Sequence, residues 1–216
     1  MDSRFESLTI FEFQDRFPDD NSCEEYLSVL KWGKGYVCSK CGHTRYCFGS
    51  QTFSRQCTRC SHVESVTSGT LFHKVKFPLL KVSHIIYYVS TNKKGISSTE
   101  LSRKLGLRQK TCWLFKQKVM RGMQSSHQHK LIGQVEVDET VVGGAEAGVN
   151  SPDLHRVIMG FKGWLRGIHH HAEHLQAYVD EYAYRFNRSF MKGNIFDNLI
   201  LRMVKAKPYT YKMIIN

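Results

Sequence analysis

The sequence predicts a mixed α+β protein: a small metal-bound ribbon, a helix-turn-helix, and a C-terminal part that is mostly helical. Three observations predict it. Two Cys-x-x-Cys pairs, Cys38/Cys41 and Cys57/Cys60, lie among short β-rich pieces and turn residues. Apolar residues then recur at helical spacing through residues 77–124. One strand-like alternation at 134–142 is followed by helical patterns over 155–166, 172–187 and 194–205.

The 216 residues suffice for one large domain or two small ones, and 41% hydrophobic content can supply a core. No run reaches the roughly 18 apolar residues of a membrane span, and the acidic N-terminus does not read as a secretory signal. The expectation is a soluble cytoplasmic, nucleoid-associated protein without a membrane partner. The net charge of +12 is unevenly spread: residues 1–30 carry eight acids and two bases, residues 31–130 nineteen bases and two acids, and residues 131–216 ten bases and nine acids. A net +17 over the middle hundred residues suits a polyanion such as DNA, because Lys and Arg that neutralise phosphates release condensed counterions. A merely basic surface is the alternative. The odd count of seven cysteines argues against a disulfide framework.

Taken in order, residues 1–32 form a helical lead, with Asn21 or Ser22 as the cap of a helix through Tyr26, Leu27 and Leu30. Residues 33–72 form the ribbon. Each Cys-x-x-Cys turn places two thiolates on one metal, and the fifteen-residue spacer lets two turns complete a tetrahedron around Zn²⁺. Four thiolates leave no position for water, so Cys38, Cys41, Cys57 and Cys60 predict a structural site. Gly42 eases the first turn and Ser61 stands at the matching place in the second. His43 and Cys47 are expected to be bystanders. Arg45, Arg55 and Arg59 with Tyr46, Phe48 and Phe53 give a basic, aromatic face, for DNA or for packing within the ribbon.

Residues 77–124 read as three helices. Val82, Ile85, Ile86 and Val89 mark the first. Ser97 and Glu100 make a capping box for the second, which stops at Gly106. The third starts near Arg108 and places Cys112, Phe115 and Val119 on one face. Two helices joined at a glycine, the second basic, predict a DNA-reading unit. Its candidate contacts are Arg108, Gln109, Lys110 and Thr111 near the helix start, with Lys116 and Lys118 further along; Trp113 is expected in the core.

Residues 132–216 open with "GQVEVDETVVGG", a strand ending in Asp138 and Glu139. That segment, the two Cys pairs, "SGTLFHKVKFPL", "ISSTELSRKLGLRQKTCWLFKQKVM" and "LHRVIMGFKGWLRGIHHHAEHLQAYVDEYAYRFNRS" together resemble the bacterial insertion-sequence transposases of the ISXO-like group. These join a zinc ribbon to a DDE-type catalytic domain of ribonuclease-H-like fold. The resemblance implies two divalent ions, Mg²⁺ or Mn²⁺, activating water or a 3′-hydroxyl and stabilising the leaving oxygen. It also implies terminal inverted repeats as the DNA partner and admits a homodimer. It maps the first catalytic aspartate on Asp138, the third catalytic position on His155, and a phosphate-contacting lysine on Lys162. The family's second aspartate lies on a central strand between these motifs, yet only sixteen residues separate Asp138 from His155. Each crossover in such a sheet needs about a dozen residues. The expectation is an internal deletion near residues 149–153, leaving a truncated catalytic remnant. The apolar stripes Leu175/Tyr178/Val179/Tyr182/Phe186 and Ile195/Phe196/Leu199/Ile200/Met203 should then repack on each other, on a partner, or poorly. Alternatives are an active transposase using Asp153, and a zinc-ribbon transcription regulator. His170 and His174, beside His169 and His171, are four apart and suit a metal on a helix, solvent, or DNA phosphates.

Overall fold

The computed structural model describes residues 8–92, 94–125, 152–168, 174–188 and 192–215. The expected strand 134–142, with Asp138 and Glu139, lies outside them, as do His169, His170 and His171. The chain begins with α1 (Ile10–Arg16) and α2 (Asp20–Trp32). Thr9 accepts from the N–H of Glu12 at 3.2 Å and Glu12 accepts from the N–H of Thr9 at 2.8 Å, a reciprocal cap. Asp19 and Ser22 repeat it at α2. The expected cap at Asn21 or Ser22 is thus corrected to Asp19, whose carboxylate reaches two residues past Asp20 and makes Ser22 the third residue of the helix.

The ribbon is a three-stranded antiparallel sheet of β1 (Tyr46–Phe48), β2 (Arg55–Cys57) and β3 (Val63–Glu64), with Tyr46 opposite Cys57 and Arg55 opposite Glu64. Residues 65–78 return in tight turns. Leu71 and Phe72 are buried there, and the Leu71 N–H donates to the carbonyl of Met203 at 3.1 Å.

Then come α3 (Leu79–Thr91), α4 (Ser98–Leu105) and α5 (Gln109–Met123). Val82, Ile85, Ile86 and Val89 are all buried, as the periodicity requires, and so are Leu101, Cys112, Phe115 and Val119. Gly106, in the left-handed region at φ 60°, stops α4 where a side chain would be strained. Ser97 accepts from the Glu100 N–H at 3.1 Å, but the Glu100 carboxylate turns to Lys104, 3.6 Å away one turn on. The i,i+4 ion pair takes the acid that a full capping box would use. α5 lies against α3, α4, α7 and α8.

The C-terminal part forms α6 (Pro152–Ile168), α7 (Leu175–Asn187), a 3-10 turn (Lys192–Asn194), α8 (Ile195–Lys205) and α9 (Tyr211–Ile215). α6 begins at Pro152, three residues before the helical pattern expected from 155; proline suits that place because its missing N–H is not needed there. The α8 stripe repacks on the N-terminal helices: Phe196, Leu199 and Met203 are completely buried, and Phe196 meets Phe13 at 5.5 Å between ring centres. Asp197 pairs with Arg16 at 2.8 Å and accepts from the Tyr26 hydroxyl at 2.6 Å. Arg202 donates to the carbonyl oxygens of Gly122, at 2.7 Å, and of Gln124, at the end of α5. Gly122 lets α8 in: a Cβ there would lie 2.6 Å from the Met203 Cγ.

The α7 stripe is corrected. Its inward face is Tyr178, Glu181 and Tyr184, whereas Leu175, Val179 and Phe186 are exposed. The reason is polar. Arg185 holds Glu181 at 2.7 Å and donates to the carbonyls of Asn92, at 2.8 Å, and Val89, so it caps α3. Lys116, also buried, bonds the Ile96 carbonyl at 2.9 Å and faces Glu181 at 3.9 Å. Burial holds the Lys116 ammonium below its ordinary pKa, while Glu181 pulls the other way.

Two substitutions test this packing in denaturant melts. Gly122→Ala should destabilise by about 1–3 kcal/mol despite alanine's higher helix propensity, because the methyl overlaps Met203. Glu181→Ala should cost about 3–5 kcal/mol by leaving Lys116 and Arg185 without their anion, and Lys116→Met combined with Glu181→Leu should recover much of it.

Candidate metal centre and basic helix surface

The metal centre is built from two matching turns. The Cys38 N–H donates to the His43 carbonyl and the Gly42 N–H to that of Cys38, both at 2.9 Å; Cys57 N–H to His62 and Ser61 N–H to Cys57 repeat the pattern at 2.9 and 3.0 Å. Gly42 sits at φ 71° and Ser61 at φ 55°. Both turns need the left-handed conformation, and only the first has the residue that adopts it without strain.

All four Sγ atoms lie within 4.8 Å of one another, with Cys38–Cys60 and Cys41–Cys57 at 3.6 Å. Four sulfurs bound to one Zn²⁺ at about 2.3 Å would stand about 3.8 Å apart, so the donor set fits a tetrahedral zinc ion. The four thiols also act on one another. Burial works to raise Cys38, but the N–H groups of Cys41 and Lys40 and the Cys60 thiol outweigh it and bring it down to about 6. Cys41 goes the other way: the His43 N–H lowers it, but burial and the neighbouring thiols outweigh that and push it up to about 12. The cluster cannot hold four anions without a positive ion to offset them. His43 and Cys47 stand outside it, and among the described residues no other group of three or more His, Cys, Asp or Glu side chains comes together in this way.

The ribbon is fastened to α2. Arg55 stacks on Trp32 and Tyr46, 4.5 and 4.1 Å from their ring centres, so it packs inward. The buried Glu64 accepts from the backbone and hydroxyl of Ser39, each at 2.8 Å. Lys31 bonds the carbonyls of Ser65, at 2.8 Å, and Ser68, at 2.6 Å. Burial depresses its pKa to about 8, against the pull of Glu64. Nothing in the local sequence singles out Lys31 or Glu64 for this role. Arg45 and Arg59 are exposed, and Phe48 is 80% exposed.

The candidate DNA contacts are sorted by burial. Arg108, Gln109 and Lys110 are exposed at the start of α5, and Thr111 is half-buried. The Gln109 side-chain amide donates to the Ser98 hydroxyl at 2.7 Å, which fixes it across the turn between the helices. Lys118 is half-buried and bonds the His73 carbonyl at 2.9 Å. Lys116 is 4% exposed and engaged with Ile96 and Glu181, so in this arrangement it does not reach a phosphate. Trp113, expected in the core, is half-buried, because its ring rests against that of His174 at 5.6 Å near the start of α7. Arg103 and Lys104 on α4 are exposed and extend the basic surface. His155 and Lys162 both lie on α6, with Lys162 buried and His155 half-buried. Asp138 is outside the described residues, so no arrangement of the three is defined.

Residues 18–63 match the family model of the transposase zinc-ribbon domain, of the IS1595 type. The matched segment takes in α2 as well as both Cys pairs, in keeping with the Trp32–Arg55 stack. The N-terminal region is therefore a transposase zinc-ribbon domain carrying a four-cysteine cluster. No curated protein and no solved structure matches the chain. No described helix is long and apolar enough to cross a membrane.

Zinc analysis should give one ion per chain, and Cys60→Ser should abolish tight binding. Zinc affinity should fall as the pH is lowered, because the ligating thiolates take up protons. Ser61→Gly should stabilise the metal-bound protein by about 0.5–1 kcal/mol through relief of the left-handed strain, read as a higher chelator concentration at half release.

Proposed function

We propose that this chain is a transposase-derived DNA-binding protein that recognises the terminal inverted repeats of its insertion sequence. The observation that carries the reading is the transposase zinc-ribbon match joined to its clustered four-cysteine site. Supporting it are α4 and α5, two helices joined at Gly106, with Arg108 and Lys110 exposed at the start of the second. A helix-turn-helix reads DNA with the N-terminal residues of its second helix. Under this reading Arg108 and Lys110 meet phosphates or base edges, Gln109 and Thr111 contact bases once the Gln109 amide leaves Ser98, and Lys116 has a structural task.

The zinc, once bound, holds the ribbon turns and supplies no chemistry. Strand transfer in the ISXO-like group needs two aspartates and a third ligand on a ribonuclease-H-like sheet. The sixteen residues between Asp138 and His155 leave no room for the strand that would carry the second aspartate. The chain is accordingly a catalytically defective remnant.

Fluorescence anisotropy with duplexes of the terminal inverted repeats should show salt-dependent binding, stronger than to a scrambled duplex. Arg108→Ala and Lys110→Ala should each lower the salt slope by about one. No nicking should appear with Mg²⁺ or Mn²⁺. Nicking that disappears in Asp138→Ala would overturn the defective part of the reading, and equal binding to scrambled DNA would overturn the end-recognition part.

A further inference from the structure

The C-terminal end of α5 borders a cavity of about 680 Å³, whose other walls come from the end of α8 and the chain that follows it. Arg121, Arg202, Lys205 and Lys207 line it with Gln124 and Ser125, and no acidic residue does. Among the described residues, none of the four cations forms an ion pair. Arg121, Lys205 and Lys207 are exposed. Arg121 donates to the Gln124 side-chain oxygen and lies 5.4 Å from the Tyr209 ring centre, which orients the guanidinium without neutralising it.

Cations at helix ends have an ordinary task, which is to meet the last carbonyl oxygens. For α5, Arg202 performs it. Its Nε donates to the carbonyl of Gly122 at 2.7 Å, and its Nη2 to those of Met123, at 3.4 Å, and Gln124. The side chains of Arg121, Lys205 and Lys207 bond no carbonyl among the described residues. Arg202 and Lys205 also stand one turn apart on α8, where like charges repel. Burial, and after it the charge of Arg188, hold the Arg202 guanidinium below its ordinary pKa, against a smaller pull from Tyr184. The cavity thus concentrates positive charge that no described side chain offsets. Phosphate groups would offset it, and four cations spread over two helix ends suit several phosphates along a strand better than one. We propose that this cavity takes phosphates of a DNA backbone, as a second contact beside the one at the start of α5. The inference rests on the DNA-binding reading and extends it. Lys110 and Arg121 are eleven residues apart on one helix, about 16 Å, which is the rise of roughly five nucleotides of one strand. Phosphate contacts position a protein and carry no sequence information, so the cavity sets affinity and leaves base reading to the start of α5.

Lys205→Gln combined with Lys207→Gln removes two exposed charges and no side-chain bond among the described residues. Binding of labelled duplexes, of the terminal inverted repeats and of scrambled sequence, is measured across a salt series, with thermal melts showing that wild type and variant are folded. The double variant should bind both duplexes roughly tenfold more weakly, by the same factor, with a salt slope shallower by about two. Combined with Arg108→Ala, the losses should add, because the two contacts are far apart. In the wild type, acetylation of Lys205 and Lys207 by an amine-reactive ester should slow several-fold once duplex is saturating. Unchanged affinity and slope in the double variant, or acetylation unaffected by duplex, overturns the site and leaves the contact at the start of α5 standing. Protection by inorganic tripolyphosphate and none by duplex would assign the cavity to a free polyphosphate and overturns it as well. If the wild type binds no duplex, the DNA-binding reading falls and this site with it.

Discussion

A helix that ends inside a protein leaves carbonyl oxygens that need donors, and this constraint ties the two halves of the chain together. α3 and α5 both end in the interior. The donors come from far along the sequence: Arg185 on α7 closes α3 through Val89 and Asn92, and Arg202 on α8 closes α5 through Gly122 and Gln124. Each guanidinium also lies where the helix dipole favours a cation. Asp197, held by Arg16 and Tyr26, fixes the other end of α8. The C-terminal helices are therefore built into the N-terminal ones by directed bonds, and the apolar stripe of α8 fills the space those bonds define.

The same bonds change how the basic character of the chain is understood. Much of the positive charge has a structural task. Arg55 is stacked between two rings, Lys31 bonds carbonyls under the ribbon, Lys116 sits in a buried network, and Lys118 holds the His73 carbonyl. The bases that remain exposed lie at the turn between α4 and α5 and on the ribbon, and also on the connector behind it (Lys74, Lys76), on α6 (Arg156, Arg166) and around the end of α8 (Lys205, Lys207). A polyanion would meet a smaller field than the net charge implies, because the bonded cations are already engaged.

The metal ligands and the core helices were legible in the sequence because each rests on short-range spacing. Two Cys-x-x-Cys turns and the runs Val82/Ile85/Ile86/Val89 and Phe196/Leu199/Met203 need no knowledge of distant partners to be read. The α7 face was not legible. Its inward side is set by Glu181 and Arg185, whose partners on α3 and α5 lie far back along the chain, and an acid inside a helix pattern reads as solvent-facing. Lys116 was misplaced for the same reason. The α2 cap moved because Asp, Asn and Ser all accept bonds well at helix starts, and such residues fill every position from Asp19 to Ser22.

The bond from the Leu71 N–H to the Met203 carbonyl, small in itself, joins the connector behind the ribbon to α8. With Leu71 and Phe72 buried, the ribbon is not a bead on a slack tether. Two contact modules on a slack tether gain avidity across many separations, whereas modules on a stiff connector act as a ruler. Under the proposed DNA-binding reading, such a connector would hold the ribbon at one fixed distance from the turn between α4 and α5.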